Sequence, residues 1–277
     1  MGFRINTNVT SLAAQRTLSQ NNIGMEESLG KLSSGTRITK SADDAAGLAI
    51  SEKLKSFMRG TKQAERNAGD GISMIQIAEG GLNEVSNILT RLRELSVQAA
   101  SDTVGDPERK FTDLEYQNLK QEIQRISQVT EFNGKKLLNG SGDQYDFQIG
   151  INNDEFQDRI SYNAQLTNST LESLGIDSLD VSGKEGARES LGALDMAIQN
   201  IAGQRAELGA VQNRLSSTIQ NLQVSNENLS AANSRIRDTD YAEETAKRAK
   251  LNILQNAGTA VLAQSNAQGS AALKLIG

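Results

Sequence analysis

The clearest hydrophobic pattern lies in the second half of the chain, where an aliphatic residue recurs at every seventh position. Such a repeat is typical of a helix that packs along one narrow seam against a neighbouring helix. We therefore expect a single helix over residues 187–236, about 75 Å long, which needs partners along its length to be stable. Some companion positions are polar, as at Asn226 and Asn233. The seam consists of Ala187, Leu194, Ile201, Leu208, Leu215, Leu222, Leu229 and Ile236.

The first half of the chain offers this helix its partners. Residues 41–44 read Ser-Ala-Asp-Asp, which has the form of a capping box, so we expect a helix to begin there. Its apolar positions recur every three or four residues, and it should end near Ala100. Pro107 then fits the first turn of a further helix, so the pattern predicts three antiparallel helices. The expected core face of the first helix contains Leu82, Val85, Leu89, Leu92 and Leu95.

The periodicity changes between residues 132 and 186. Tyr145, Phe147 and Ile149 alternate with polar residues, as they would in a half-buried strand. Asn152-Asn153 marks a turn, so we expect a β-hairpin formed by residues 144–151 and 155–162. The segment is short, and we expect it to cap the end of a helical rod as a small subdomain.

The two ends of the chain are amphipathic, but their apolar faces consist largely of small residues. Helices of this kind bury little area and contain several glycines, so the ends should be unstable alone and should order on binding other copies. We expect the contacts between copies to involve Ile5, Val9, Leu12, Ile253, Ala257 and Ala260.

The composition favours long helices over a compact globular core. Hydrophobic residues make up 37% of the chain, aromatic residues make up 4%, and there is no Trp, so narrow apolar stripes are easier to satisfy than a wide core. The predicted fold is therefore all-α dominated: a long antiparallel coiled coil or helical bundle with a small β-hairpin insert.

The chain contains neither His nor Cys. Their absence removes the usual general base, the strongest transition-metal ligands and the thiol nucleophile. The carboxylates are scattered over helical faces, where they are usually solvated. We therefore expect no enzymatic activity, no metal site and no cofactor.

The net charge of −5 and the dispersed Lys and Arg residues predict no binding to nucleic acid and no insertion into a membrane. No apolar run approaches the roughly 20 residues that span a bilayer, and the first residues lack the apolar core of a signal peptide. These features alone indicate a cytosolic protein, but they are also compatible with secretion by a route that uses no cleaved signal.

Extended motifs occur at both ends of the chain. Residues 32–38 read Leu-Ser-Ser-Gly-Thr-Arg-Ile, residues 41–49 read Ser-Ala-Asp-Asp-Ala-Ala-Gly-Leu-Ala, and residues 66–72 read Arg-Asn-Ala-Gly-Asp-Gly-Ile. Near the other end, residues 234–238 read Ser-Arg-Ile-Arg-Asp, and residues 253–266 read Ile-Leu-Gln-Asn-Ala-Gly-Thr-Ala-Val-Leu-Ala-Gln-Ser-Asn. In this order, the motifs resemble the terminal signatures of bacterial flagellins.

The resemblance implies a hairpin-shaped subunit. Residues 1–40 and 238–277 would pair as an inner coiled-coil domain, and residues 41–139 and 187–237 would form an outer helical bundle. Residues 140–186 would be a short hairpin or loop insert in place of the large variable outer domains of longer members. In the family, such subunits form a homopolymer, the extracellular flagellar filament that serves motility.

The same resemblance implies partners and an export route. The subunit would leave the cell unfolded through the flagellar type III system, without a cleaved signal peptide. A secretion chaperone, a cap protein and hook-associated proteins would be its partners. A hook-filament junction protein shares the two-ended helical plan and is an alternative within the same system. A coiled-coil signalling or scaffold rod is an alternative of a different class.

Recognition by a Toll-like receptor is a further implication of the resemblance. The receptor-contacting positions of the family match Arg91, Leu95 and Glu115. An exposed Arg can make bidentate contacts, and a Leu can fill a shallow apolar pocket. Alternatively, Arg91 and Glu115 form a solvated pair between helices and Leu95 is a packing residue.

Overall fold

The computed structural model describes the backbone of residues 7–274 and the side chains of residues 7–267. Long helices dominate, and the strands form two small antiparallel pairs, so the predicted fold class is confirmed. In chain order the elements are α1 (Val9–Ser34), α2 (Ala45–Ala99), α3 (Asp106–Val129), β1 (Glu131–Phe132), β2 (Lys135–Lys136), β3 (Gln144–Gln148), β4 (Arg159–Asn163), α4 (Leu171–Leu174), α5 (Lys184–Arg237) and α6 (Tyr241–Lys274).

The chain divides into two compact units. The first, which we call the terminal unit, consists of Met1–Ser56 and Asn228–Gly277. The second, the central unit, consists of Phe57–Glu227. The domain boundaries expected at residues 40 and 238 stay a prediction.

Helix α2 begins at Ala45, so the prediction that a capping box at Ser41 starts this helix is wrong. The cap is Asp44, whose Oδ1 accepts a hydrogen bond of 2.8 Å from the backbone N–H of Gly47. The carboxylate of Asp43 is occupied elsewhere, because it accepts hydrogen bonds from the backbone of the loop before the helix. An Asp at the N-cap satisfies a free N–H of the first turn as well as a Ser would.

The other predicted helix limits agree with the structure. Helix α2 ends at Ala99, and Pro107 occupies the first turn of α3, where its missing N–H costs nothing. Helix α5 runs unbroken from Lys184 to Arg237 and contains the whole heptad seam.

The core of the central unit joins α2, α3, α5 and the hairpin region. A buried hydroxyl pair lies within it, where Ser190 Oγ donates to Ser96 Oγ at 2.9 Å. Eight of the expected core residues are fully buried: Leu82, Val85, Leu89, Leu92, Leu194, Ile201, Leu208 and Leu215.

The last three residues of the expected seam do not belong to this core. Leu222, Leu229 and Ile236 are only half-buried, so their placement in the bundle core is wrong. At this level of α5, polar pairs replace apolar packing, as where Gln223 Nε2 donates to a carboxylate oxygen of α2 at 2.8 Å.

The hairpin of β3 and β4 forms where the sequence predicts it, with Gln144 opposite Asn163. Its expected position at the end of a rod is wrong, because it lies along the side of α2. A Cβ on Gly71 would stand 3.0 Å from the ring of Phe147, and Asn67 Nδ2 donates to a β3 carbonyl at 3.0 Å. Glycine in α2 therefore gives the hairpin room to approach.

A second, smaller hairpin was not predicted. Strands β1 and β2 are joined by Asn133-Gly134, with φ values of 49° and 76°. Positive φ at both central residues is the signature of a type I′ turn, for which Asn-Gly is the favoured sequence. The Asn-Gly dipeptide was therefore a sequence feature from which this hairpin could have been predicted.

Candidate assembly surface

Helices α1 and α6 pair along a seam with few large apolar side chains. On α1 the seam contains Ser11 and Ser28, which are 7% and 0% exposed. On α6 it contains Gly258 and Ser265, and Ser265 is 6% exposed. Gly258 and Ser265 are seven residues apart, and Leu18 and Leu251 pack beside the glycines of the opposite helix, so the two terminal helices pair as a coiled coil whose seam combines Ser and Gly with leucine.

Hydrogen bonds fasten one end of this seam. Asn8 Nδ2 donates to the carbonyl of Ser265 at 3.0 Å, and Ser11 Oγ donates to Asn266 Oδ1 at 2.9 Å. The hydroxyls of Thr10 and Ser265 lie 2.7 Å apart. Because net stabilisation from a hydrogen bond is only about 0.5–1.5 kcal/mol, this pairing positions the helices more than it stabilises them.

Several branched aliphatic side chains of the two terminal helices point away from the seam. Val9 and Leu12 of α1 are 63% and 52% exposed, and Ile253 and Val261 of α6 are 68% and 58% exposed. Ala257 and Ala260 are exposed on the same side of α6 as Ile253. Ile5, expected to act with them, lies outside the described residues. We call this set of outward side chains the outer apolar face.

The pairing of α1 and α6 leaves the outer apolar face exposed to solvent. A pair of helices that exposes its Val and Ile residues and buries Ser and Gly has its larger hydrophobic surface available for another molecule. The stripe of Ile253, Ala257 and Ala260 therefore does not join α6 to α1 within one copy.

Arg91 and Glu115 of the expected receptor-contacting set form an exposed ion pair between α2 and α3. Arg91 Nη2 lies 2.8 Å from Glu115 Oε1, and Arg91 Nη1 lies 3.0 Å from Glu94 Oε2. The Glu115 carboxylate, followed by that of Glu94, raises the pKa of Arg91. With the Arg91 side chain 49% exposed, solvent screens the pair and it contributes little to stability.

Leu95 is 2% exposed and belongs to the core of the central unit. The expectation that it fills a pocket on a receptor is therefore wrong for this conformation of the chain. Its place in the heptad-like series of α2 points it towards the interior, while Arg91, one turn earlier, lies at the rim.

The buried ammonium group of Lys120 in the central unit is held by backbone carbonyls. Lys120 is 5% exposed, and its Nζ donates to the carbonyls of Asp177 and Leu179 at 2.6 and 2.8 Å. Burial lowers its pKa. Among the described residues, no group of three or more acidic side chains could hold a metal ion. No described helix is long and apolar enough to cross a membrane.

Sequence reasoning missed two exposed apolar sites in the central unit. Phe156 is 93% exposed in the loop between β3 and β4, and Phe111 and Leu114 of α3 are 75% and 66% exposed. Leu119, Ile123 and Ile126 are spaced as the core face of a helix, and Phe111 and Leu114 fall outside that face. Their position outside that face was the sequence feature that could have indicated an exposed apolar site.

Two protein-family models match the chain. The bacterial flagellin N-terminal helical region matches residues 5–143, and the bacterial flagellin C-terminal helical region matches residues 191–276. A flagellin of Halalkalibacterium halodurans is 42% identical over 274 residues, which cover 98% of this chain and 99% of the relative. A flagellin of Bacillus subtilis is 42% identical over 307 aligned residues, covering 99% of this chain and 100% of the relative.

Solved structures show the same likeness. The crystal structure of Bacillus cereus flagellin aligns with a TM-score of 0.51 at 31% identity, over 57% of this chain and 88% of that one. A putative flagellar hook-associated protein from Vibrio parahaemolyticus aligns with a TM-score of 0.60 at 15% identity, over 71% of this chain and 100% of that one, and at this identity it shows the fold alone. Because the family models cover both halves and full-length relatives are 42% identical, the chain belongs to the bacterial flagellin family.

Proposed function

We propose that this chain polymerises with copies of itself through the outer apolar face and so builds the extracellular flagellar filament that serves motility. Flagellins are structural filament proteins, and this chain is accordingly not an enzyme. The observation that carries the proposal is the exposure of Val9, Leu12, Ile253 and Val261 on helices whose mutual seam uses other residues.

The energetics of this face support contacts between copies. Burying a Val, Leu or Ile side chain fully stabilises a contact by about 1.5–3 kcal/mol. Several such side chains lie on each copy, and each copy in a filament meets more than one neighbour. Each contact can therefore be weak, because the free energies of the several contacts that a subunit makes add up when it joins the filament.

The export route and the accessory partners are part of the proposal. We infer that the chain is secreted unfolded by the flagellar type III system. A secretion chaperone would hold the C-terminal segment beforehand, since α6 carries exposed apolar residues that would otherwise promote premature association. A cap protein and hook-associated proteins would receive it outside. The resemblance of both chain ends to flagellins supports each of these steps.

The alternatives are less well supported. A hook-filament junction protein would share the fold, but the full-length relatives at 42% identity are flagellins. A signalling or scaffold rod would need no outer apolar face at both chain ends.

Receptor recognition stays a proposal for a surface made of Arg91 and Glu115 without Leu95. Their exposed guanidinium and carboxylate groups are available on a monomer, although each would exchange its present partner for a receptor group. A receptor-reporter titration of monomeric Arg91→Ala against the parent measures this contribution, which the proposal expects to be about 2 kcal/mol.

Deletion of either chain end tests assembly. The full chain should form micron-long filaments at rising concentration under electron microscopy. Chains that lack residues 1–40 or 240–277 should stay soluble and partly helical and should form none. Filaments of normal length from either truncated chain, or none from the full chain, would contradict the proposal.

A further inference from the structure

The dipeptide Asn-Gly occurs twice in the chain, at residues 133–134 and at residues 139–140. This dipeptide is chemically labile, because a glycine has no Cβ to keep its backbone nitrogen away from the carboxamide of the preceding asparagine. The two dipeptides lie on either side of β2 and share the reacting groups. Their surroundings differ, so the fold can protect one and leave the other reactive.

The reaction is deamidation through a cyclic imide. The backbone nitrogen of the glycine loses its proton and attacks Cγ of the asparagine, which forms a nitrogen–Cγ bond and closes a succinimide ring. The bond between Cγ and Nδ2 breaks, and Nδ2 leaves with the displaced proton as ammonia. Water then opens the ring at either carbonyl and gives aspartate or isoaspartate. The reaction therefore consumes only water and needs no oxidant or enzyme.

Asn133 and Gly134 meet the requirements of this reaction. Both residues are exposed, and among the described residues no group forms a hydrogen bond with the Asn133 carboxamide. No atom would lie within 4 Å of a Cβ on Gly134, so the space around the attacking nitrogen is open. The carboxamide can therefore rotate towards that nitrogen, and water can reach the ring that forms.

The turn that contains Asn133 is held by few interactions. Strands β1 and β2 pair only through Glu131 opposite Lys136 and Phe132 opposite Lys135. A two-stranded hairpin has little stability of its own, and local opening of such an element is frequent. Asn133 also adopts a φ of 49°, which is less favourable for asparagine than for glycine. Local opening therefore gives the main chain the freedom that ring closure requires.

Asn139 is restrained in both of these respects. Its Oδ1 accepts hydrogen bonds from the backbone N–H of Ser141 at 3.1 Å and from Ser141 Oγ at 2.8 Å. A Cβ on Gly140 would overlap Asn168 Nδ2, so the space beside this glycine is filled. The Asn168 carboxamide is itself fixed, because its Oδ1 accepts from the N–H of Thr170 at 3.0 Å. The Asn139 carboxamide is thus held in place and its glycine is shielded.

We propose that Asn133 is a site of spontaneous deamidation in the folded protein and that the fold protects Asn139. The product carries a carboxylate in place of an amide, so the formal net charge changes from −5 to −6. Isoaspartate also adds one atom to the main chain, which a two-residue type I′ turn does not accommodate. Subunits of an extracellular polymer would accumulate this change with age. That consequence rests on the proposed function, whereas the reaction itself does not.

Peptide mapping of the aged full-length chain tests the site. The purified chain is held at mildly alkaline pH, which favours the deprotonated glycine nitrogen, and samples taken over time are digested with trypsin. The two dipeptides fall in separate tryptic peptides, residues 126–135 and residues 137–159. Mass spectrometry measures aspartate and isoaspartate in each, and a zero-time sample corrects for deamidation during digestion. We expect reaction at Asn133 to be at least about tenfold faster than at Asn139, a barrier difference of about 1.4 kcal/mol.

Incubation in concentrated urea is the control for the fold. In the unfolded chain the two dipeptides should react at similar rates, because neither carboxamide is then restrained. In the folded chain, Asn168→Ala should open the space beside Gly140 and accelerate the reaction at Asn139. Gln165→Ala, at an exposed position of the same loop, is the matched variant and should leave both rates unchanged.

The outcomes either support or overturn the proposal. Equal rates at the two sites of the folded chain overturn it, as does faster reaction at Asn139. A rate difference of the same size in urea also overturns it, because the flanking sequence and not the fold would then set the rates. An unchanged rate at Asn139 in Asn168→Ala overturns the protection assigned to Asn168. Filament formation plays no part in these measurements, so their failure leaves the proposed function standing.

Discussion

The side chain of Leu18 closes over Gly258: its Cδ1 atom stands 2.9 Å from the place that a Cβ at residue 258 would occupy. Gly24 of α1 similarly faces Leu251 of α6, at 3.5 Å from a Cβ to the Leu251 Cδ1 atom. Thus a leucine of each helix packs against a glycine of the other helix. Val9, Leu12, Ile253 and Val261 take no part in this packing and remain exposed on the outer apolar face.

Replacement of Gly258 should push α1 and α6 apart. Gly258→Leu adds a side chain where Leu18 already lies, and overpacking of this kind costs about 1–3 kcal/mol. Gly30→Leu is the matched control, because no atom would lie within 4 Å of a Cβ there. Amide hydrogen exchange of α1 should be faster in Gly258→Leu and unchanged or slower in Gly30→Leu. Equal protection in the two variants would contradict this role for Gly258.

Two buried tyrosines should respond oppositely to loss of their hydroxyl. The hydroxyl of Tyr162 lies 2.6 Å from that of Thr167, whereas the hydroxyl of Tyr116 has no well-placed hydrogen-bond partner. Tyr162→Phe should therefore lower the free energy of unfolding by about 1 kcal/mol, and Tyr116→Phe should leave it unchanged or raise it. Chemical denaturation measures both. A larger loss in Tyr116→Phe would show that its hydroxyl is well bonded.

The same tyrosines should make the central unit sensitive to alkali. Burial raises the pKa of Tyr116 to about 12, moderated by the nearby hydroxyls of Ser190 and Ser96, and burial also raises the pKa of Tyr162 to about 12. An unfolded tyrosine loses its proton near pH 10. Between about pH 10 and 12 the unfolded chain binds fewer protons than the folded chain, so stability falls as pH rises.

This alkaline loss should be on the order of 1–2 kcal/mol per tyrosine, and stability should be insensitive to these groups below about pH 10. Tyr116→Phe should remove about half of the loss. Thermal unfolding of parent and variant at pH 8 and pH 11 measures it. An identical pH dependence in the two proteins would contradict the assignment to Tyr116.

Leu215 and Leu222 should differ although the heptad repeat makes them equivalent. Leu215 is fully buried and Leu222 is half-buried. Leu215→Ala should lower the free energy of unfolding by about 2–5 kcal/mol, as a core truncation does. Leu222→Ala should lower it by about 1 kcal/mol, because less apolar area is lost. Equal losses in denaturant titrations would place both residues in the same environment.

Periodicity predicted the long helices well because it reports the face on which a helix packs. The heptad seam predicted α5 and its buried residues from Leu194 to Leu215, and Pro107 predicted the start of α3. Periodicity does not report how many layers cover that face. Leu222 therefore fits the repeat as well as Leu215 does, yet only Leu215 is fully buried.

The remaining misses concern contacts between distant parts of the chain. From sequence alone, the glycines of α2 are residues that weaken a helix. The structure shows that Gly71 leaves room for the hairpin. Likewise, the apolar spacing of α6 marks Ile253, Ala257 and Ala260 but not Gly258 and Ser265, which lie in the seam with α1. Which of two stripes on a helix meets the partner is decided by close packing, which sequence spacing does not describe.

Filament assembly by an outer-face variant tests the central claim most directly. The variant Ile253→Ser with Val261→Ser removes exposed apolar side chains and leaves the seam intact, whereas Asn256→Ser with Thr259→Ser changes an exposed polar flank of the same helix. The critical concentration for assembly is measured by sedimentation and electron microscopy. We expect it to rise at least about tenfold for the first variant and to match the parent for the second. Filaments from the first variant at the parent's critical concentration would contradict assembly through the outer apolar face.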